Sequence, residues 1–215
     1  MNFSIILAHP RPTSFSHAIA DVARQTLLSQ DVNVFYHDLY LENFPPVLPP
    51  GEEQRDAIIP DIISRHCEEI RSVDGIIIIH PNWWGQPPAI LTGWVDRVFR
   101  PGVAYRFIGT DKGEGVPQGL LKAHIALVFN TANTAIEREI EVFGDPLEKI
   151  WKNCIFNLCG VKNFVRRMFT VMVSSTMEQR NMWLQEVRNI TEKAVQDTRS
   201  HIRPFYTENR FFNEQ

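Results

Sequence analysis

The 215 residues carry 22 Lys+Arg against 25 Asp+Glu, a formal net charge of −3, with 44% hydrophobic and 22% charged residues. This is the balance of one ordinary globular domain, and it excludes disordered, collagen-like and low-complexity chains. No run of five basic residues occurs anywhere, so nucleic acid is not an expected partner.

In chain order, β-rich apolar runs at 3–8, 32–36, 75–79, 125–129 and 164–173 alternate with segments of helical period. The first run is short and lacks a basic flank, so neither a signal peptide nor a membrane span is expected. Phe15, Ile19, Val22 and Leu27 share a face of the first helix; Trp183, Val187, Ile190 and Ala194 share one on the last, introduced by the capping box Ser175-x-x-Glu178. The unalternating run Ile76-Ile77-Ile78-Ile79 reads as a central parallel strand covered on both faces. Five βα units of this kind predict an α/β fold: a doubly wound, five-stranded parallel sheet with helices on both faces, in one domain spanning 1–215. Segments 42–53 and 108–119, the latter holding four of the eleven glycines, read as long loops rather than domain linkers. An aromatic tail from about residue 203 is expected to dock on its own protomer or a partner.

Cys67, Cys154 and Cys159 are odd in number and form no C-x-x-C pair, which predicts free thiols in a reducing cytoplasm. The seven histidines show no ligand spacing on one helix or hairpin, so no metal is expected. In open α/β sheets ligands sit beyond the carboxyl ends of the strands, which directs attention to the loops after the first, third and fourth runs. After the first comes His9-Pro10-Arg11-Pro12-Thr13-Ser14-Phe15-Ser16, then a helix. Its hydroxyls, His and Arg suit a phosphate at a helix N-terminus, although Ser14 serves equally as a plain cap. The first glycine in the chain is Gly51, so this turn is neither G-x-G-x-x-G nor a Walker A loop. After the third run, His80-Pro81-Asn82-Trp83-Trp84-Gly85-Gln86-Pro87-Pro88 offers a stiff wall for a flat heteroaromatic ring; packing in a core or interface is the alternative role of the tryptophans.

These stretches, with Pro88-Ala89-Ile90-Leu91-x-Gly93-Trp94-x-Asp96-Arg97-Val98 and Gly102-x-Ala104-Tyr105, resemble the flavodoxin-like NAD(P)H:quinone reductases from residue 1 to about 160. The resemblance implies a cytoplasmic homodimeric flavoprotein using FAD, or alternatively FMN, to pass two electrons from NAD(P)H to a quinone-like acceptor by a ping-pong mechanism. It implies that His9, Thr13, Ser14, Phe15 and Ser16 hold the phosphates and ribityl chain. Pro81, Asn82, Trp83, Trp84 and Gly85 would line the isoalloxazine. Tyr105 and Phe107 would cover it across the dimer interface, unless they serve only as interface packing.

The loop Asn130-Thr131-Ala132-Asn133 departs from the Thr-Thr-Gly-Gly of relatives. Its Asn130, Thr131 and Asn133 can still donate hydrogen bonds to the flavin edge, and Asn130 or Asn133 would stabilise charge on the reduced ring. The Tyr and His that relatives use to assist charge movement are absent, with Glu137 and Phe143 near their places. That loss raises an alternative: a flavin-binding regulatory or redox-sensing subunit with little turnover.

Overall fold

A computed structural model describes residues 1–54, 57–109 and 115–208. The elements run β1 (Asn2–Leu7), α1 (Phe15–Leu28), β2 (Asn33–Asp38), α2 (Asp61–Ser72), β3 (Gly75–Pro81), α3 (Ala89–Val98), β4 (Tyr105–Ile108) and β5 (Val116–Gly119). There follow β6 (Ile125–Thr131), α4 (Ile136–Glu141), α5 (Pro146–Glu148) running on as a π-helical segment (Lys149–Asn157), β7 (Asn163–Phe169) and α6 (Met177–Glu208). Five strands form one sheet in the order β2-β1-β3-β6-β7, all pairings parallel. Chain direction across the sheet reverses between β1 and β3, the place where ligands of doubly wound folds bind.

The isoleucine run shows why this sheet is covered on both sides. Ile76 and Ile78 join a core with α2, α3 and the π-helical segment, whereas Ile77 and Ile79 join a second core with α1 and α6, and all four are 0% exposed. Strand ends follow pairing rather than apolar content: β7 stops at Phe169, short of the expected 173, where the neighbouring β6 ends at Thr131. β2 continues to Asp38 because His37 and Asp38 pair with Ile6 and Leu7.

Three expectations need correction. Segment 108–119 is not wholly loop: its flanks form the antiparallel ribbon β4–β5, with Phe107 opposite Pro117, too short and Pro/Gly-rich to announce itself. Thr176, not Ser175, caps α6, its hydroxyl accepting from the Gln179 N–H while Ser175 donates to the Met172 carbonyl. The helix face of Trp94 and Val98, which the sequence offers as part of a dimer interface beside the aromatic strip at 102–107, is instead 0% exposed and packed in its own protomer's core. Of the aromatic tail, residues 209–215 lie outside the described residues.

Segment 42–53 is a loop, but a pinned one. Arg97 donates from Nε and Nη2 to both oxygens of buried Glu52 and from Nη1 to the Pro45 carbonyl. Gly93 lets the loop lie against α3, since a Cβ there would stand 2.1 Å from the Pro46 carbonyl oxygen. At its start, His37 sits between Glu42 (2.8 Å) and Glu69 (2.5 Å), and His66 donates to Glu42 while accepting the Trp94 indole N–H at 3.0 Å. The donor atoms of His37, Glu42 and His66 lie within 4.8 Å of one another, a gathering across 29 residues that no linear histidine spacing announces. The Trp94 N–H fixes the neutral His66 proton on Nε2, so hydrogen bonds satisfy every ring nitrogen in the cluster.

Burial pushes the Glu42 carboxyl up, but the hydrogen bonds and charges of His37 and His66 outweigh it and hold it at about 2. Its folded value lies below its ordinary 4.5, so its stabilisation is complete above pH 4.5 and is lost as pH falls through about 2. After allowance for solvent screening, Glu42→Gln should cost on the order of 1–2 kcal/mol at pH 6. Thermal melts of both proteins across pH should show this gap closing toward pH 2; a gap independent of pH would refute the ionic origin.

Candidate functional site

Ser14, at an extended backbone angle, accepts the His17 N–H and so caps α1. The same hydroxyl meets His17 Nδ1 at 2.9 Å, and His17 Nε2 meets Asp38 Oδ2 at 2.9 Å, so β2 braces the first turn of α1. The Arg11 backbone N–H donates to His9 Nδ1 (3.1 Å), which leaves the proton of the neutral His9 ring on Nε2. Burial, then the positive charges of His17 and Arg11, push the His9 imidazole below its ordinary value. Free helix N–H groups, Arg11 and the Ser16 hydroxyl thus converge on one end of a cleft, joined by the Ser14 hydroxyl once its proton turns from His17 Nδ1 to the ligand, a donor set that fits a phosphate.

The other end is built by the turn after β3. Asn82 donates its N–H to the Thr131 carbonyl and accepts the Gly85 N–H on its Oδ1, while Trp83 and Gln86 exchange backbone hydrogen bonds. Trp84 and Gly85 both have positive φ (56° and 71°), the two central positions of a primed turn. A large aromatic residue in that conformation is strained by about 1–2 kcal/mol. This one is also 98% exposed. A Cβ on Gly85 would stand 2.7 Å from Pro146 Cγ, so the turn rests directly on the start of α5.

Behind the turn lies a buried polar network. His80 Nδ1–H donates to the Pro81 carbonyl, and Nε2 accepts from both the Trp151 indole and the Asn130 amide. Burial, helped by the charge of Arg166, pushes the His80 imidazole down to about 4. Arg166, its side chain 6% exposed, binds Asn130 Oδ1, Glu148 and Asp145 together. Asp145 in turn caps α5, its carboxylate accepting the Glu148 N–H. The network therefore sets the height of Pro146 beneath Gly85.

Two adjoining cavities result, sharing Asn82 and Thr134. One, about 270 Å³, is walled by His9, Ser14, Phe15, Ser16, Pro81, Asn82, Trp83, Thr131, Ala132 and Asn133 of the expected set, with Arg11, Thr134 and Met172 added. The second, about 520 Å³, is walled by Asn82, Trp84 and Gly85 with Thr134, Glu139, Phe143 and Pro146. Thr13 is exposed and walls neither. Contrary to the expectation from the sequence, the Asn130 side chain presents no donor to the ring edge: it is 0% exposed, its amide spent on His80 and its carbonyl on Arg166. Asn133 does face the cleft: its Oδ1 accepts the Val173 N–H, which leaves its amide N–H groups to donate. Tyr105 and Phe107 stand on the β4–β5 ribbon, rings 5.6 Å apart, and line neither cavity of their own chain.

Sequence reasoning missed His17, Asp38, Glu139 and Arg166. The Ser14-x-x-His17 spacing on one helical face was a usable signal; the other three are joined to the site only by tertiary contacts.

A family model for the flavodoxin-like fold matches residues 1–193. An uncharacterized NAD(P)H oxidoreductase of Haemophilus influenzae is 39% identical over 79% of this chain and 83% of its own length. The ribosyldihydronicotinamide dehydrogenase [quinone] of Rattus norvegicus is 28% identical over 86% of this chain and 90% of its own. The NAD(P)H:quinone oxidoreductase from Methanothermobacter marburgensis superposes with a TM-score of 0.74 at 26% identity, covering 89% of this chain and 94% of the other. The chain therefore belongs to the flavodoxin-like fold family and is one of its oxidoreductases.

Proposed function

We propose that the chain is a flavin-dependent oxidoreductase that passes two electrons from NAD(P)H to a quinone or similar acceptor. What carries the reading is the junction, beyond β1, β3 and β6, of a helix N-terminus rich in phosphate-binding donors with a cleft walled by Trp83 and Trp84. Arg11, His9, Ser14 and Ser16 would hold phosphate, and Pro81, Asn82, Trp83, Thr131, Ala132 and Asn133 would border the ring. FAD is preferred over FMN because the first motif is most similar to that of FAD-binding relatives. The flavin, when bound, supplies the two-electron chemistry.

The chain's own residues orient and shield. The Trp84–Gly85 turn would shield the ring edge, Asn133 would donate an amide N–H to it, and the 520 Å³ cavity would admit donor and acceptor in turn. A single cavity used by both gives ping-pong kinetics. The free thiols of Cys67, Cys154 and Cys159 suit the cytoplasm. The missing Tyr/His pair favours a second reading, a sensing subunit that binds flavin and turns over slowly. Purified protein should be yellow, bleach anaerobically with NADH or NADPH, and recover colour when a quinone is added. Colourless protein that no flavin restores would end the cofactor reading; bleaching without recovery would favour the sensor.

We further propose a homodimer in which Tyr105 and Phe107 of one protomer cover the partner's cleft. Phe107, Ile108 and Val116 of the ribbon are 58%, 57% and 73% exposed, an apolar edge unusual on a lone protomer. Tyr105→Ala should raise the KM for the acceptor several-fold while leaving flavin affinity nearly unchanged. A fully active monomer in sedimentation would overturn the shared site.

A further inference from the structure

Glu139 sits on α4, 4% exposed, in the wall of the 520 Å³ cavity that Trp84 and Asn82 also line. Among the described residues no side chain or backbone group hydrogen-bonds or pairs with its carboxylate, although Asp145 and Glu148 nearby are both held by Arg166. A buried carboxylate without a partner is costly, and native proteins keep few of them. Neither oxygen is fully sealed, since no fully buried polar side-chain atom in the described structure lacks a hydrogen bond, and Glu139 lines the cavity. Both are acceptors only, so what completes them must be a donor.

We propose that Glu139 is the ligand-recognition residue of this cavity, accepting a hydrogen bond from an N–H or O–H group on a flat aromatic ligand. The inference rests on the reading of the cavity as the place where electron donor and acceptor dock. Two groups there have this chemistry: the carboxamide of a nicotinamide and the hydroxyl of a hydroquinone product. Glu137, the acid near the relay position in the sequence, is exposed and walls neither cavity, so the register of α4 brings Glu139 inward in its place.

The test is calorimetric titration of the protein as purified with two probe pairs, nicotinamide against N,N-dimethylnicotinamide and 1-naphthol against 1-methoxynaphthalene. In wild type the donor-bearing member of at least one pair should bind about tenfold or more tightly than its capped counterpart. Glu139→Ala should reduce that ratio to near one by weakening the donor-bearing probe alone. The near-isosteric Glu139→Gln, which retains an acceptor, should give an intermediate ratio and guards against misfolding of the first variant. Discrimination in the nicotinamide pair alone assigns the contact to the electron donor, and in the naphthol pair alone to the reduced acceptor. A wild-type ratio near one in both pairs, no binding of any probe, or a ratio unchanged in both variants would overturn the inference. Flavin content of the same samples separates the two claims. Colourless protein that still discriminates loses only the flavin reading, and yellow protein that does not discriminate loses only Glu139.

Discussion

Replacing Arg166 with Ala should destabilise the protein by about 2–4 kcal/mol and impair the site together. Breaking a buried ion pair costs about 3–5 kcal/mol because a charge is left without its partner. Here the stranded acids, Asp145 and Glu148, keep side-chain exposures of 20% and 36%, so water recovers part of that cost. In a chain of this size each kcal/mol lowers Tm by roughly 2–4 °C, which puts the expected fall near 6–12 °C for the middle of the range. The functional loss follows from geometry. Without Arg166 the αL cap at Asp145 is no longer braced, Pro146 shifts from under Gly85, and the Trp84 turn loses its support. Arg166→Lys should rescue little, because one ammonium cannot serve two carboxylates and the Asn130 carbonyl at once. Melting curves and flavin titration of the same samples check both parts; an unchanged Tm would show that the network contributes nothing net.

Removing the Ser14 and Ser16 hydroxyls together should lower flavin affinity by two orders of magnitude or more. Each hydrogen bond to a charged oxygen contributes about 1.5–3 kcal/mol, and both hydroxyls face the phosphate end of the cleft. Ser14 also caps α1, which by itself costs about 0.5–2 kcal/mol of stability when lost to Ala. Ser14→Gly separates the two roles, since glycine at that position costs the helix only a few tenths of a kcal/mol. If Ser14→Gly binds flavin as tightly as wild type, the hydroxyl is a cap and nothing more. Thr13→Ala should be nearly silent, because Thr13 is exposed and outside both cavities.

The parallel strands were legible because hydrophobic period is a local property. An unbroken Ile76–Ile79 run reports cover on both faces whatever lies elsewhere in the chain. The cleft was legible for a related reason. The ends of strands in a doubly wound sheet are where ligands bind, so residues that follow a strand, such as Ser14, Trp83 and Asn133, are brought together by topology alone.

What remained hidden depends on register and long-range contact. Asn130 and Asn133 look equivalent in one short loop, but Asn130 is still inside β6, where His80 and Arg166 consume its amide, and Asn133 is already beyond it. Glu137 and Glu139 differ by two positions on a six-residue helix, too short for any hydrophobic stripe to tell which one faces the cavity. The β4–β5 ribbon is decided by antiparallel pairing between two segments with weak strand signals of their own. The sheet and the position of its cleft were thus readable from the residues in order, because period and element order are written along the chain. Which side chains face that cleft follows from what packs behind each residue, and so emerges with the folded packing.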